Sequence, residues 1–133
     1  MRRQFNLPMD DESFLNTLNI EWETIIENGN WLIIHNYPVP NGYNHSKADI
    51  AISISAGYPD AQLDMVYAFP SLSLHNGNAI GSLTSHNLDG KTWQRWSRHR
   101  TPQNPWRPGV DDLSGHLTLV DHWFQNELRK VSA

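Results

Sequence analysis

Two apolar runs, Trp22-Glu23-Thr24-Ile25-Ile26-Glu27 and Trp31-Leu32-Ile33-Ile34, flank Asn28-Gly29-Asn30, and this arrangement constrains the fold more than any other part of the chain. The Asn-Gly pair tolerates the positive φ that a tight connection requires, so the two runs are expected to form a β-hairpin. Tyr37-Pro38-Val39-Pro40-Asn41-Gly42-Tyr43 then reads as an ordered loop. Beyond it Ala48, Ile50, Ile52 and Ile54 alternate with Asp49, Ala51, Ser53 and Ser55, the period-two signature of a strand with one buried face. Gly57-Tyr58-Pro59-Asp60 supplies a turn, and residues 63–69 read as a fourth strand that stops at Pro70. Four successive strands with short connections make an antiparallel meander.

Helical spacing brackets that meander. Asp10 and Asp11 serve as caps for a short helix over residues 11–19, in which Phe14, Leu15 and Leu18 recur on one side. After Pro108-Gly109, residues Val110, Leu113, Leu117, Val120, Phe124 and Leu128 are spaced by three or four. Asp111 and Asp112 stand in the first turn of this amphipathic helix and Arg129 and Lys130 in its last, as its dipole favours. Between Ser71 and Pro108 the pattern breaks into glycine, asparagine, histidine and proline, and an irregular segment of that length in a small domain is usually functional. The sequence therefore predicts an α+β domain with helices on one face of an antiparallel sheet.

With 133 residues the chain has room for a single domain, residues 1–133. It contains no cysteine, which excludes disulfides, zinc thiolates and thiol nucleophiles. A net charge of −4 argues against general nucleic-acid binding. Yet Lys91, Arg95, Arg98, Arg100 and Arg107, half of the ten lysines and arginines, share one stretch with no acid between Asp89 and Asp111. An acidic protein partner explains that stretch better than nucleic acid does. No apolar run is long enough to span a membrane, and Met1-Arg2-Arg3 leads into polar residues rather than a signal-peptide core, so a cytoplasmic protein is expected. Seven histidines invite a metal reading, but none pair one helical turn apart, and no metal or cofactor is expected. Asp112 and His116 are spaced to face each other on the last helix, which makes His116 a partner for that carboxylate.

Tyr58-Pro59 after the third strand, a proline closing the fourth, and Trp106-Arg107-Pro108 leading into a helix resemble the ubiquitin-conjugating enzyme fold. The segments GYPDAQLDMVYAFP, GKTWQRWSRHR and WRPGVDDLSGHL are similar to the prokaryotic family E of that superfamily, over roughly residues 7–130. The resemblance implies a UBC-like domain in a bacterial modification pathway, without the two further C-terminal helices of the standard enzymes. It implies three partners: a ubiquitin-like protein, an adenylating activating enzyme and a JAB-type isopeptidase. It also implies an acyl transferase, although the residue that carries the thioester in the superfamily has no cysteine counterpart here. The His-Pro-Asn motif is absent too; His86-Asn87 is its nearest equivalent, with His75-Asn76 a second candidate.

Oxygen must therefore replace sulfur if the chain is catalytic. Ser97 is the candidate nucleophile, because it lies seven residues past Gly90 in the region where the superfamily places its reactive residue. A serine hydroxyl needs a neighbouring base, and on an extended backbone His99 shares its face while Arg98 points away. Arg98, His86 and Asn87 would position or stabilise the acyl oxygen. Arg95, Arg100, Trp93, Trp96 and Trp106 are the candidate partner-binding residues. Ser85, Ser82 and Thr92 are alternative nucleophiles in the same segment. The competing expectations are a surface loop whose arginines stack on Trp93, Trp96 and Trp106, and a non-catalytic module that presents a ubiquitin-like protein to partners.

Overall fold

In the computed structural model, which describes residues 1–130, β1 (Trp22–Ile26) turns back into β2 (Asn30–Pro38) through Asn28 and Gly29. Their φ angles of 50° and 124° are those the Asn-Gly pair was expected to supply. The register runs from Ile26 opposite Asn30 to Trp22 opposite Ile34. β3 (Lys47–Ile54) and β4 (Val66–Phe69) extend the meander, and β4 stops at Pro70. α1 (Met9–Thr17) precedes the sheet and α2 (Leu113–Arg129) follows it.

The sheet nevertheless has six strands, not four. β5 (Leu83–Leu88) and β6 (Lys91–Trp96) form a second hairpin inside the stretch expected to be irregular, and β6 pairs with β4, giving the order β1-β2-β3-β4-β6-β5 with every neighbour antiparallel. Its turn is Asp89-Gly90, both at positive φ (53° and 72°), the two-residue geometry that matches strand twist. The helix ends also differ from expectation. α1 starts at Met9 after Pro8, so Asp10 and Asp11 lie inside its first turn rather than capping it. α2 starts at Leu113, because Asp112 caps it by accepting the Gly115 amide at 3.1 Å, which leaves Val110 outside and exposed.

One sheet face carries Leu32, Ile34, Ile50, Ile52, Val66, Ala68 and Trp96 against Leu15 of α1 and Leu113, Leu117, Val120 and Phe124 of α2. The three-or-four spacing of these α2 residues follows from 3.6 residues per turn. The other face, which no helix covers, gathers Ile25, Trp31, Ile33, Ala51, Tyr67, Leu88 and Trp93 into a second core. It is buried by curvature. In a flat sheet the four strand steps from β2 to β5 would span about 19 Å, yet the Trp31 and His86 rings have centroids 5.2 Å apart. Arg2 closes the curl, bonding Glu23 of β1 at 2.9 Å and Asp89 of the β5–β6 turn at 2.7 Å. The small Ala51 in the middle strand leaves room for Trp31 and Tyr67 to meet edge-on at 5.0 Å. No helix among the described residues is long and apolar enough to cross a membrane.

Candidate functional site

Where β6 ends, the chain bends. The Ser97 amide donates to the Ser82 carbonyl at 3.1 Å, and the Arg98 amide donates to the Trp96 carbonyl at 3.0 Å, two residues back. That second bond closes a three-residue turn centred on Ser97. Neighbouring side chains diverge around it. Trp96 is fully buried between the sheet and α2, while Arg98 reaches Glu127 of α2 at 3.0 Å and the Gly81 carbonyl at 3.0 Å, with its guanidinium 5.0 Å from the Trp96 ring centre. His99 goes elsewhere, because this turn replaces the extended backbone expected to put it on the face of Ser97: its Nδ1 lies 2.7 Å from Asp64 Oδ2, and 62% of its side chain is exposed.

Asp64 reaches that position from the lead-in to β4. The next residue, Met65, has φ of 58°, a left-handed conformation that costs a side-chain-bearing residue about 1–2 kcal/mol. Its amide donates to the Arg98 carbonyl at 3.1 Å, and its carbonyl lies 2.9 Å from Nε2 of His116 on α2. His116 thus partners a backbone carbonyl and not Asp112, whose carboxylate is engaged in capping α2 and accepting the Ser114 hydroxyl at 2.8 Å. Burial pushes the His116 pKa down to about 4, helped by the nearby Arg100 charge and opposed by the Met65 bond. Three polar atoms in this neighbourhood, Asp64 Oδ1, Arg100 Nε and His116 Nδ1, are buried without a hydrogen-bond partner.

The remaining histidines are placed for other work. His35 bridges Glu23 at 2.7 Å and Asp49 at 3.1 Å with only 19% of its side chain exposed. His86 packs between Trp31 and Tyr67 in the second core. Of the described histidines, His99 alone combines a carboxylate on one ring nitrogen with a mostly exposed ring. That is the arrangement of a base held in one orientation with its other nitrogen free.

The structure separates several residues that the sequence grouped with Ser97. The Asp89-Gly90 turn sets the β5–β6 register, placing Asn87 opposite Thr92 and His86 opposite Trp93, whereas Ser82 lies across from Ser97. Five residues of strand then put Asn87 about 17 Å from the Ser97 end. Its side chain accepts the Thr92 hydroxyl at 3.0 Å. His86 and Asn87 are thus removed from any site at Ser97, as are Ser85 and Thr92 along the same hairpin. Ser82, at φ of 56°, remains beside Ser97.

Trp93 and Trp96 are 1% and 0% exposed, one in each core, so neither presents a partner-binding surface. Strand periodicity explains this: residues three apart face opposite ways, and both faces of this sheet are covered. Trp106 is half-buried against Tyr58, and Arg100 stacks over it at 4.7 Å. Arg95 lies against Tyr67 on the second core, with Nε buried and unbonded. Arg98 is committed to Glu127, so it anchors the Ser97 bend to α2 instead of facing an acyl oxygen. Arg100 lines a groove with Asn104, Arg107, Gly115 and Thr118. Among the described residues no three His, Asp or Glu side chains converge on a metal position.

Asp64 and Met65 are not among the residues that the sequence marks as candidates. The trace of Asp64 was an acid interrupting the apolar residues at the start of the expected fourth strand; nothing marks Met65 as left-handed. Comparison with known proteins supplies one match: a family model described as prokaryotic E2 family E covers residues 7–127. No curated protein and no solved structure matches the chain.

Proposed function

The chain belongs to prokaryotic E2 family E, and from that premise we propose that it carries the acyl group of a ubiquitin-like protein as an oxyester on Ser97. Membership implies a conjugating-enzyme-related role involving a ubiquitin-like protein and its activating enzyme. Cysteine is absent, which excludes a thioester, and a serine oxygen takes its place in this reading. The observation that carries the proposal is the Asp64–His99 pair, in which the carboxylate holds Nδ1 of a mostly exposed ring two residues along the chain from Ser97.

In the transfer, Ser97 Oγ attacks the acyl carbon of the ubiquitin-like C-terminus while its proton passes to His99 Nε2. The bond from that carbon to the activating enzyme's leaving group breaks, and the proton follows onto that group. Asp64 holds His99 in the tautomer with the proton on Nδ1 and stabilises the transient imidazolium. Arg100 provides positive charge for the developing oxyanion or for the incoming tail. A substrate amine then displaces the serine oxygen, forming an amide and restoring the hydroxyl. A cytoplasmic setting, and a JAB-type isopeptidase reversing the modification, belong to the same reading.

The test is to incubate the protein with its ubiquitin-like protein, activating enzyme and ATP. The expected adduct survives thiol reductant, is released by hydroxylamine, and is absent with Ser97→Ala. His99→Gln should slow its formation about 10²- to 10⁴-fold, the range for loss of a general base. An adduct of unchanged yield in Ser97→Ala refutes the assignment. Stable non-covalent binding of the ubiquitin-like protein with no adduct would make the domain a presenting module instead.

A further inference from the structure

We infer that His116 is a positioning residue: by holding the Met65 carbonyl from α2, it fixes the left-handed backbone that presents Asp64 to His99. The part this plays in acyl transfer rests on the proposed function, whereas the geometry stands without it.

The φ angle of Met65 describes rotation about the bond between its amide and its Cα, so it is fixed when the groups on both sides are held. The amide is bonded to the Arg98 carbonyl and the carbonyl to His116 Nε2. Methionine has no short polar side chain with which to steady a left-handed conformation locally, as asparagine does. Among the described residues, the other five with positive φ apart from glycine are four of that tolerant type, Asn19, Asn28, Asn36 and Asp89, and Ser82. If the hold on the carbonyl is released, Met65 relaxes toward negative φ and swings the preceding peptide, which carries Asp64.

The chemistry of His116 fits a fixed, uncharged donor. A carbonyl only accepts, so Nε2 carries the proton and Nδ1 is a bare acceptor. The ring is fully buried, edge-on to Trp123 at 5.6 Å, with the charges of Arg100 and Asp64 facing it. Burial keeps it neutral, so the donor does not vary with pH above about 4. Nδ1 has no partner, which is a cost a leucine at this core position would avoid. The single hydrogen bond recorded for this side chain goes to Met65, and that bond is what the histidine contributes.

The tautomer of His99 reads the arrangement directly by long-range ¹H–¹⁵N NMR, its signal identified by disappearance in His99→Gln. In the parent, Asp64 holds the proton on Nδ1; Asp64→Ala should move it to Nε2, the form preferred by free imidazole. His116→Leu should do the same although it touches neither residue, and His116→Gln, whose amide reaches as far as Nε2, should restore the parent tautomer. A folded His116→Leu protein whose His99 keeps its proton on Nδ1 overturns the inference. Should that variant fail to fold, His116→Asn against His116→Gln decides: the shorter amide is expected to lose the Nδ1–H form and the longer to keep it, and equal behaviour overturns the inference. Because the readout needs no acyl transfer, an adduct that persists in Ser97→Ala would remove the carrier assignment and leave this result standing.

Discussion

Replacing Arg98 by alanine should destabilise the domain severely, because it takes from Glu127 the partner that makes its burial tolerable. Glu127 is 2% exposed on α2; its Oε1 accepts from Arg98 at 3.0 Å and from Lys130 at 2.8 Å, and its Oε2 has no partner. Removing one member of a buried pair costs about 3–5 kcal/mol. Two observations place Arg98→Ala at the lower end: Lys130 remains, though it is 62% exposed and worth little, and the Arg98 side chain is itself 17% exposed. An unfolding entropy of about 2.1 cal/mol/K per residue gives about 0.28 kcal/mol/K for a chain of 133 residues. A loss of about 3 kcal/mol therefore lowers the melting midpoint by about 11 °C.

Two further variants separate the pair from the side chains that form it. Glu127→Gln keeps an acceptor for the guanidinium and should cost about 1–2 kcal/mol, the difference a charge-assisted bond makes. The double change Arg98→Met with Glu127→Leu keeps the cover over Trp96 and removes both charges; it should return to within about 1 kcal/mol of the parent. Thermal unfolding followed by far-ultraviolet circular dichroism measures all three. If Arg98→Ala melts within 3 °C of the parent, or the double variant is as unstable as Arg98→Ala, the buried-pair argument fails.

Two other perturbations test the scaffold. Gly42→Ala should lower stability by about 1–3 kcal/mol, because φ of 114° at this residue is accessible to glycine and its Cβ would meet Leu128 Cδ2 at 2.5 Å. Adding Leu128→Ala should leave most of the deficit in place, since the backbone strain remains; full recovery in a urea titration would contradict this. Arg2 holds Glu23 down at a pKa of about 2, from 4.5, against the opposing effect of burial. The stabilisation is thus present above pH 4.5 and lost as pH falls toward 2. Arg2→Ala should flatten this acid limb relative to the parent, while His116, neutral in the fold and destabilising below its ordinary 6.5, contributes equally to both proteins. Melting midpoints at pH 6 and pH 3 that drop equally in the two proteins would refute the assignment to Glu23.

The parts of the fold written as periodicity were legible. The Asn28-Gly29 hairpin, the alternating strand from Lys47 to Ile54 and the amphipathic α2 all follow from local pattern. The β5–β6 hairpin carries no such pattern, because β5 is an edge strand whose Thr84, Ser85 and Asn87 are exposed, so its composition mimics a loop. Asp89-Gly90 was its one strong signal, a two-residue turn between runs of equal length. Recognising it would also have set the register that parts Asn87 from Ser97. Trp93 and Trp96 misled for a related reason: a strand buried on both faces looks like an aromatic surface until its second cover is known. Here that cover is the curl of the sheet itself, closed by Arg2 from the far end of the chain. The left-handed Met65 depends on contacts from β6 and α2, more than 30 residues away, and leaves no local trace.

Under the proposed oxyester, the absence of cysteine also accounts for the support given to the candidate site. A thiol can reach its nucleophilic form through its own ionisation, with modest help from its surroundings. A serine depends on a base already held at the right angle, so the precision lost with sulfur has to reappear in the framework around oxygen. Three separate elements meet around His99: the β6 exit supplies His99 itself, two residues past Ser97, the β4 lead-in supplies Asp64, and α2 supplies His116 to hold Met65. A domain that only presented a ubiquitin-like protein would need a complementary surface, not a left-handed methionine braced by a buried histidine with one nitrogen unsatisfied. Strain and an orphaned acceptor each destabilise the fold, and under the proposed oxyester that cost is tied to the orientation of one exposed imidazole.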